Sequence, residues 1–279
     1  PELVRKYWDS DSRHVTIYEF KNPGIPLSTW ESKQQAIEAG LNKTILKIKY
    51  CHGKRRIQVY AVSAQNDMPT KLLWKDKYLP NGDFPLVLGE GLLGPVVVDL
   101  THIPHILLGG ASGSGKSVLL KLLLMQSLHK GAVVCISDFK GGVDFPSIWH
   151  EKCRMCFEET ELLSLLSEIV NELEQRKQLF RNAECPDIVE YNKATGQALK
   201  RYIVAFDEVA EVLDKTGRSK EQKELLSKIE SKLSIIARQG RAFGVHLILA
   251  TQRPDANLIS GQIRSNLGCR ICGRADSIL

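Results

Sequence analysis

Apolar and polar positions along this chain follow two patterns, and the change comes near residue 84. Before it, residues 44–50 and 56–62 alternate every second position like half-buried strands, with a turn at His52-Gly53-Lys54 between them. Residues 30–39 have a helical pattern, with Ser28-Thr29 as the expected cap and Gly40 as the stop. Residues 1–28 read as irregular, broken by Pro23-Gly24-Ile25-Pro26. After residue 84 the short runs become almost wholly apolar. Residues 86–88 and 95–100 predict a hairpin beside the strand at 105–108, and further strands are expected at 132–136, 154–157, 202–206 and 245–250. Between them lie helical stretches at 118–125, 159–180 and 220–238. The second carries Leu162, Leu163, Leu166, Ile169, Val170 and Leu173 on one stripe, and the third carries Leu225, Leu226, Ile229, Leu233 and Ile236. The polar segment 214–223 reads as a mobile loop. Alternating strands and helices predict an α/β domain with a mostly parallel sheet over 84–279, preceded by a small α+β domain over 1–83.

Charge sharpens that division. Residues 1–84 carry 14 Lys and Arg against nine Asp and Glu, whereas the rest carry 24 against 23, so the basic excess precedes the α/β domain. Lys47, Lys49, Lys54, Arg55 and Arg56 gather on or near the predicted hairpin, as a surface facing nucleic acid or a merely solvated face would have them. No run of about 18 apolar residues exists to span a bilayer. The chain begins at Pro1 rather than Met and so reads as a fragment, with room upstream for a targeting or membrane segment. Seven scattered cysteines suit reduced thiols. The spacings Cys153/Cys156 and Cys269/Cys272 invite a zinc reading, but both pairs sit in strand-like runs, where positions three apart face opposite sides.

The strongest chemical signal is Gly110-Ala111-Ser112-Gly113-Ser114-Gly115-Lys116-Ser117, which fits the pattern G-x-x-x-x-G-K-[ST] at every fixed position. It follows an apolar strand and opens a helix at Val118, the context a phosphate-binding loop needs. Backbone N–H groups of residues 113–117 are expected to face the phosphates of ATP, Lys116 to reach the β- and γ-phosphates, and Ser117 to ligate Mg²⁺. Four apolar residues then lead into Asp207-Glu208, a Walker B pattern. Asp207 is expected to hold the water shell of the metal and Glu208 to polarise the attacking water. The acidic pair favours a hydrolysing motor, and no N-K-x-D guanine signature is present. Gln252, at the end of the next strand, is the candidate for sensing the γ-phosphate or orienting the water. Arg238, Arg241, Arg264 and Arg270 follow Walker B, and Arg238 and Arg241 are the first candidates for an arginine finger supplied to a neighbouring subunit. His105 and His246 lie on core strands and read as packed histidines, and the aromatic residues form no stacking platform for single strands.

Residues 103–117 (Ile-Pro-His-Ile-Leu-Leu-Gly-Gly-Ala-Ser-Gly-Ser-Gly-Lys-Ser) and 235–254 (beginning Ile-Ile-Ala-Arg-Gln-Gly-Arg-Ala-Phe-Gly-Val-His) resemble the FtsK/SpoIIIE DNA translocases. The segment 259–271 is similar too, and residues 29–63 resemble more loosely the small domain that precedes these motors. The resemblance implies a RecA-like P-loop ATPase core, a homo-hexameric ring round double-stranded DNA, and ATP-driven translocation. Lys116, Ser117, Asp207, Glu208, Gln252 and Arg238 match family positions. Asp138-Phe139-Lys140-Gly141-Gly142 stands where chromosome translocases have Asp-Pro-Lys, a variant similar to members from conjugative elements and type VII secretion. No winged-helix domain follows, and the motor reads as truncated at its C-terminus. The implied protein is a conjugative coupling motor with a cytoplasmic motor domain, anchored in the cell membrane, with relaxosome or secretion-channel proteins as further partners. The alternatives are a type VII secretion ATPase moving proteins and a nucleotide-gated adaptor that scarcely hydrolyses.

Overall fold

The computed structural model describes residues 2–10, 14–63, 72–91, 94–252 and 259–274. The chain divides into two units, Pro1–Asp76 with Gly89–Val96, and Lys77–Leu88 with Val97–Leu279.

The smaller unit has a four-stranded antiparallel sheet made of β1 (Leu3–Trp8), β2 (Thr16–Lys21), β3 (Lys43–Cys51) and β4 (Arg56–Ser63), in the order β1-β2-β4-β3. The first two strands correct the expectation of an irregular stretch over 1–28. Four consecutive buried residues open β2 and most of β1 is exposed, so neither shows the alternation that betrays a half-buried strand. The expected single helix over 30–39 is two short ones, α1 (Leu27–Ser32) and α2 (Gln34–Leu41). Pro26, not Ser28 or Thr29, stands at the first N-cap, and the Leu27 N–H donates to the Tyr50 hydroxyl at 2.7 Å. Asn42 closes α2 in the left-handed conformation. Trp30, Ile45, Ile48, Ile57, Val59 and Ala61 form the core between helices and sheet.

In the larger unit every strand pairing of the main sheet is parallel. The strands β7 (Ile106–Gly109), β8 (Val133–Ser137), β9 (Arg154–Cys156), β10 (Tyr202–Phe206), β11 (Val245–Thr251) and β12 (Cys269–Cys272) lie in the order β12-β7-β11-β10-β8-β9. The expected mostly parallel α/β sheet is therefore present. The predicted hairpin, β5 (Pro85–Gly91) and β6 (Gly94–Asp99), pairs only with itself and is not hydrogen-bonded to β7. Its base still shares a core, since Leu86, Val98 and Leu100 pack with Ile106, Leu120 and Leu123.

Helices cover the sheet because their apolar stripes need burial. α3 (Lys116–His129) and α4 (Ser147–Lys152) precede the long α5 (Glu159–Asn182), which packs on α8 (Lys220–Phe243) through Leu162, Leu166, Ile169, Leu226, Ile229 and Leu233. α8 opens with a capping box between Ser219 and Gln222, so residues 220–223 are helix, and only 214–219 remain of the polar loop. Shorter helices α6 (Ile188–Thr195), α7 (Val209–Leu213) and α9 (Gly261–Arg264) complete the unit. Among the described residues no helix is long and apolar enough to cross a membrane.

Candidate nucleotide site

All six parallel strands point their C-terminal ends to one edge of the sheet, and loops that leave that edge can converge on a ligand. β7, β11, β10 and β8 lie side by side, so four loops meet there: 110–115 after β7, Gln252 after β11, Asp207-Glu208 after β10, and Asp138 to Gly142 after β8.

The loop after β7 is a tight wrap. Ser114 N–H donates to Ala111 O at 3.1 Å, and Gly113 and Gly115 adopt φ of 74° and 88°, which side chains resist. α3 starts directly at Lys116, so its free N–H groups face the mouth of the loop. The wrap is braced from two strands. Gly110 N–H donates to Thr251 O on β11, while Gly273 N–H donates to Gly109 O at 2.8 Å and Ala111 N–H to Arg274 O at 2.9 Å beyond β12. A Cβ on Gly110 would lie 2.5 Å from Ser114 Oγ, and one on Gly273 would lie 3.1 Å from the same side chain. Both glycines are places of close approach.

Asp207 is 1% exposed and Glu208 8%. Ser117 Oγ donates to Asp207 Oδ1 at 3.0 Å, joining the phosphate-loop helix to Walker B, and Lys140 Nζ lies 3.4 Å from Asp207 Oδ2. Burial works against the Lys140 charge, but the Asp207 carboxylate outweighs it and holds the ammonium above its ordinary pKa. Glu208 is oriented by backbone donors: Gln252 N–H reaches Oε2 at 2.7 Å and Ala210 N–H reaches Oε1 at 3.4 Å. A cleft of about 430 Å³ opens beside it, lined by Glu208, Glu211, Asp214, Arg218 and Gln252. Burial, reinforced by the neighbouring carboxylates and opposed by Lys140, raises the Glu211 pKa.

This donor set fits a metal-bound nucleoside triphosphate. Among the described residues four buried side-chain polar atoms lack a partner. Three of them, Ser114 Oγ, Ser137 Oγ and Asp138 Oδ2, lie on the loops and strand ends of this edge. Such atoms are costly unless a ligand or solvent meets them. With Ser117 and Asp207 they are oxygen atoms of the kind that Mg²⁺ takes.

The structure thus brings together Lys116, Ser117, Asp207, Glu208 and Gln252, as the sequence predicts, with Gly110, Ala111, Ser112, Gly113, Ser114 and Gly115 forming the loop and an exposed Val118 in the first helical turn. It does not bring Arg238 and Arg241 to them. Both sit near the C-terminal end of α8, at the edge where β11 begins, opposite the phosphate loop. Arg238 Nε bonds its own helix at Ser234 O, and Arg241 Nε bonds Thr101 O. Arg253 lies outside the described residues. Asp138 and Lys140 are the residues that strand-end reasoning passes over, although their position directly after β8 is the available signal. The two Cys-x-x-Cys pairs lie at opposite edge strands of the sheet, β9 and β12, and are not brought together.

The histidines have definite partners. His105 Nδ1 accepts from Leu247 N–H at 2.9 Å and Nε2 donates to Ala237 O at 3.0 Å, so the ring is neutral, and burial lowers its pKa to about 4. His246 Nδ1 donates to Pro104 O and Nε2 accepts from Arg201, which also pairs with Asp83. In the smaller unit, basic residues near the hairpin are partly committed: Arg56 pairs with buried Glu19, and Lys49 and Lys54 lie over the rings of Tyr60 and Tyr50. Glu19, Cys51 and His52 form the one cluster of three metal-type ligands found among the described residues, but Arg5 and Arg56 already occupy the carboxylate.

Comparison with known proteins agrees with this geometry. The pattern of the FtsK/SpoIIIE family matches residues 74–256. The DNA translocase FtsK of Treponema pallidum (strain Nichols) is 30% identical, over 92% of this chain and 33% of its own length. The DNA translocase SftA of Bacillus subtilis (strain 168) is 32% identical, over 66% of this chain and 20% of its own. The chain therefore spans about a third or less of these relatives. The pCW3 conjugation coupling protein TcpA, solved in its monomer form with ATPγS, is 36% identical at a TM-score of 0.75, covering 99% of this chain and 77% of that one. EssC from Geobacillus thermodenitrificans shares the fold, with a TM-score of 0.62 at 21% identity over 76% of this chain and 41% of its own.

Proposed function

The chain belongs to the FtsK/SpoIIIE family, and from that premise we propose that it is the ATP-driven motor of a double-stranded DNA translocase of the conjugative coupling type. The observation that carries the reading is the joined site itself: Ser117 bonded to Asp207, and Glu208 aimed by the Gln252 N–H, on one sheet edge. Similarity to a coupling protein over nearly the whole chain supports the choice of cargo. EssC and the type VII secretion ATPase EccC of Thermomonospora curvata share the fold at 20–23% identity, which supports no statement about cargo.

In this reading the N–H groups of residues 113–117 and the Lys116 ammonium bind the phosphates, and Ser117 and Asp207 hold Mg²⁺. Bound there, the metal would supply neutralisation of the phosphate charge. Glu208 accepts a proton from the water that attacks the γ-phosphorus, and its two backbone donors keep the accepting carboxylate in place. The bond to the bridging oxygen breaks, and ADP and phosphate leave. Arg238 and Arg241, remote from this site, serve the site of a neighbouring copy in a homo-hexameric ring. The basic strands of the smaller unit contact the DNA backbone, and the remainder of the protein anchors the motor at the cell membrane.

The test is ATP hydrolysis with and without linear double-stranded DNA, at low and moderate salt, beside Glu208→Gln. Stimulation that fades with salt is expected, since backbone binding releases counterions. Loss of turnover in the variant, about a hundredfold or more, is expected from removal of a general base. Turnover indifferent to DNA but raised by secretion-substrate peptides would transfer the protein to the exporters.

A further inference from the structure

The loop after β8 delivers a charge that the mechanism above leaves unused. Asp138 Oδ1 accepts the Lys140 N–H at 3.0 Å, which turns the loop back toward β10 and presents the lysine side chain to Walker B. Lys140 Nζ then pairs with Asp207 Oδ2 at 3.4 Å, while Ser117 Oγ occupies the other oxygen at 3.0 Å. The Asp207 carboxylate is thus held between a hydroxyl of the phosphate-loop helix and an ammonium of the β8 loop. Both partners stand on the atoms expected to serve a divalent cation.

The two cations compete for that carboxylate, because like charges at close range repel strongly in a partly buried cleft. The lysine is also loosely held. Its side chain is 37% exposed, its stem is flexible, and the 3.4 Å separation is long for a charge-assisted bond. Gly141 and Gly142, both with φ near 78°, follow it directly. An ammonium displaced from Asp207 would otherwise leave positive charge crowded beside the metal. The negative charge that arrives with the metal is the triphosphate, and its terminal group is what a diphosphate lacks.

We propose that Lys140 is a positioning residue that exchanges partners, holding Asp207 in the nucleotide-free site and turning to the terminal phosphate when metal and triphosphate enter. The exchange rests on the nucleotide site proposed above. It makes the ion pair a competitor of Mg²⁺, and it makes the released lysine a discriminator between tri- and diphosphate.

The experiment measures binding of a fluorescent ADP to the chain, its displacement by ATPγS and by ADP, and the Mg²⁺ concentration at half-maximal ADP binding. Wild type, Lys140→Met and Lys140→Arg are compared, with thermal melts as the control for folding. Lys140→Met is expected to lose about tenfold of the preference for ATPγS over ADP, the size of one charged contact. It is also expected to reach half-maximal ADP binding at severalfold lower Mg²⁺, whereas Lys140→Arg stays close to wild type in both. Either readout unchanged in a Lys140→Met protein that melts like wild type overturns the exchange. A wild-type chain that binds neither nucleotide overturns the nucleotide site itself, and a normal wild type beside an unaltered variant overturns only the role of Lys140.

Discussion

Glu19 in the smaller unit and Asp207 in the larger are both buried carboxylates with basic partners, and the difference lies in how those partners hold them. Arg5 Nε reaches one Glu19 oxygen at 2.8 Å and Arg56 NH1 the other at 2.6 Å. One short charge-assisted bond to each oxygen balances the Glu19 charge within the protein itself. Asp207 has one lysine at 3.4 Å and one hydroxyl at 3.0 Å, a looser pairing for a carboxylate that is just as buried. Burial of a carboxylate is therefore no mark of function by itself; the quality of its pairing separates a structural acid from one kept ready for a metal.

The comparison breaks most visibly at Asp207. Asp207→Ala is expected to lower ATP turnover by at least about a hundredfold, as loss of a metal ligand does. Its melting temperature should stay near wild type, because Lys140 rehydrates easily. A large fall in stability in calorimetry would show that the Lys140 pair holds the fold instead.

Acid should separate the two units next. His105 is neutral in the fold with a pKa lowered to about 4 by burial, so the unfolded chain binds the proton first as pH falls below about 6.5. The larger unit is then expected to lose up to about 3 kcal/mol between roughly pH 6.5 and 4. Burial would raise the pKa of Glu19, but Arg56 and Arg5 outweigh it and hold it low. Its contribution is full above the ordinary glutamate range near about 4.3 and is lost only as pH falls through the lower folded value. Urea melts followed in each unit across pH would check the order, and a smaller unit that weakens first would refute it.

Glu19→Ala should cost the smaller unit about 2 kcal/mol, less than the roughly 3–5 of a broken buried pair because both arginines remain partly exposed and can regain water. Nucleotide affinity should not change. The smallest effect is expected from Gly273→Ala, whose new methyl would press on Ser114 at 3.1 Å. A several-fold weaker ATPγS affinity, about 1 kcal/mol, with an unaltered melt would locate the strain in the phosphate loop. An unchanged affinity would show that the brace from β12 is slack.

Much of the larger unit is legible because its signals are local. The glycine spacing of 110–117 and the apolar run before Asp207 each lie on one strand and its exit, and the stripes of α5 and α8 repeat within a few turns. The smaller unit is less legible. β1 is an edge strand with hardly a buried residue, and β2 carries Glu19 into the core, so neither looks like a strand without its neighbours. In the site, the role of Gln252 was expected of its side chain, whereas the contact seen is its backbone N–H on Glu208, which no side-chain pattern reveals.

The sequence by itself determined that a phosphate loop and an acidic strand end exist and that the chain is an α/β P-loop protein, because each depends on residues a few positions apart. Only the tertiary structure decided which atoms meet in the site. Lys140 and Asp207 are 67 residues apart, Glu208 and Gln252 are 44 apart, and Ser117 and Asp207 are 90 apart. What joins them is the parallel register that sets Ser137 of β8 beside Phe206 of β10, with β11 and β7 following in order. That register is chosen by burial of whole strands and helix faces against one another, a sum over many distant residues that no local spacing encodes.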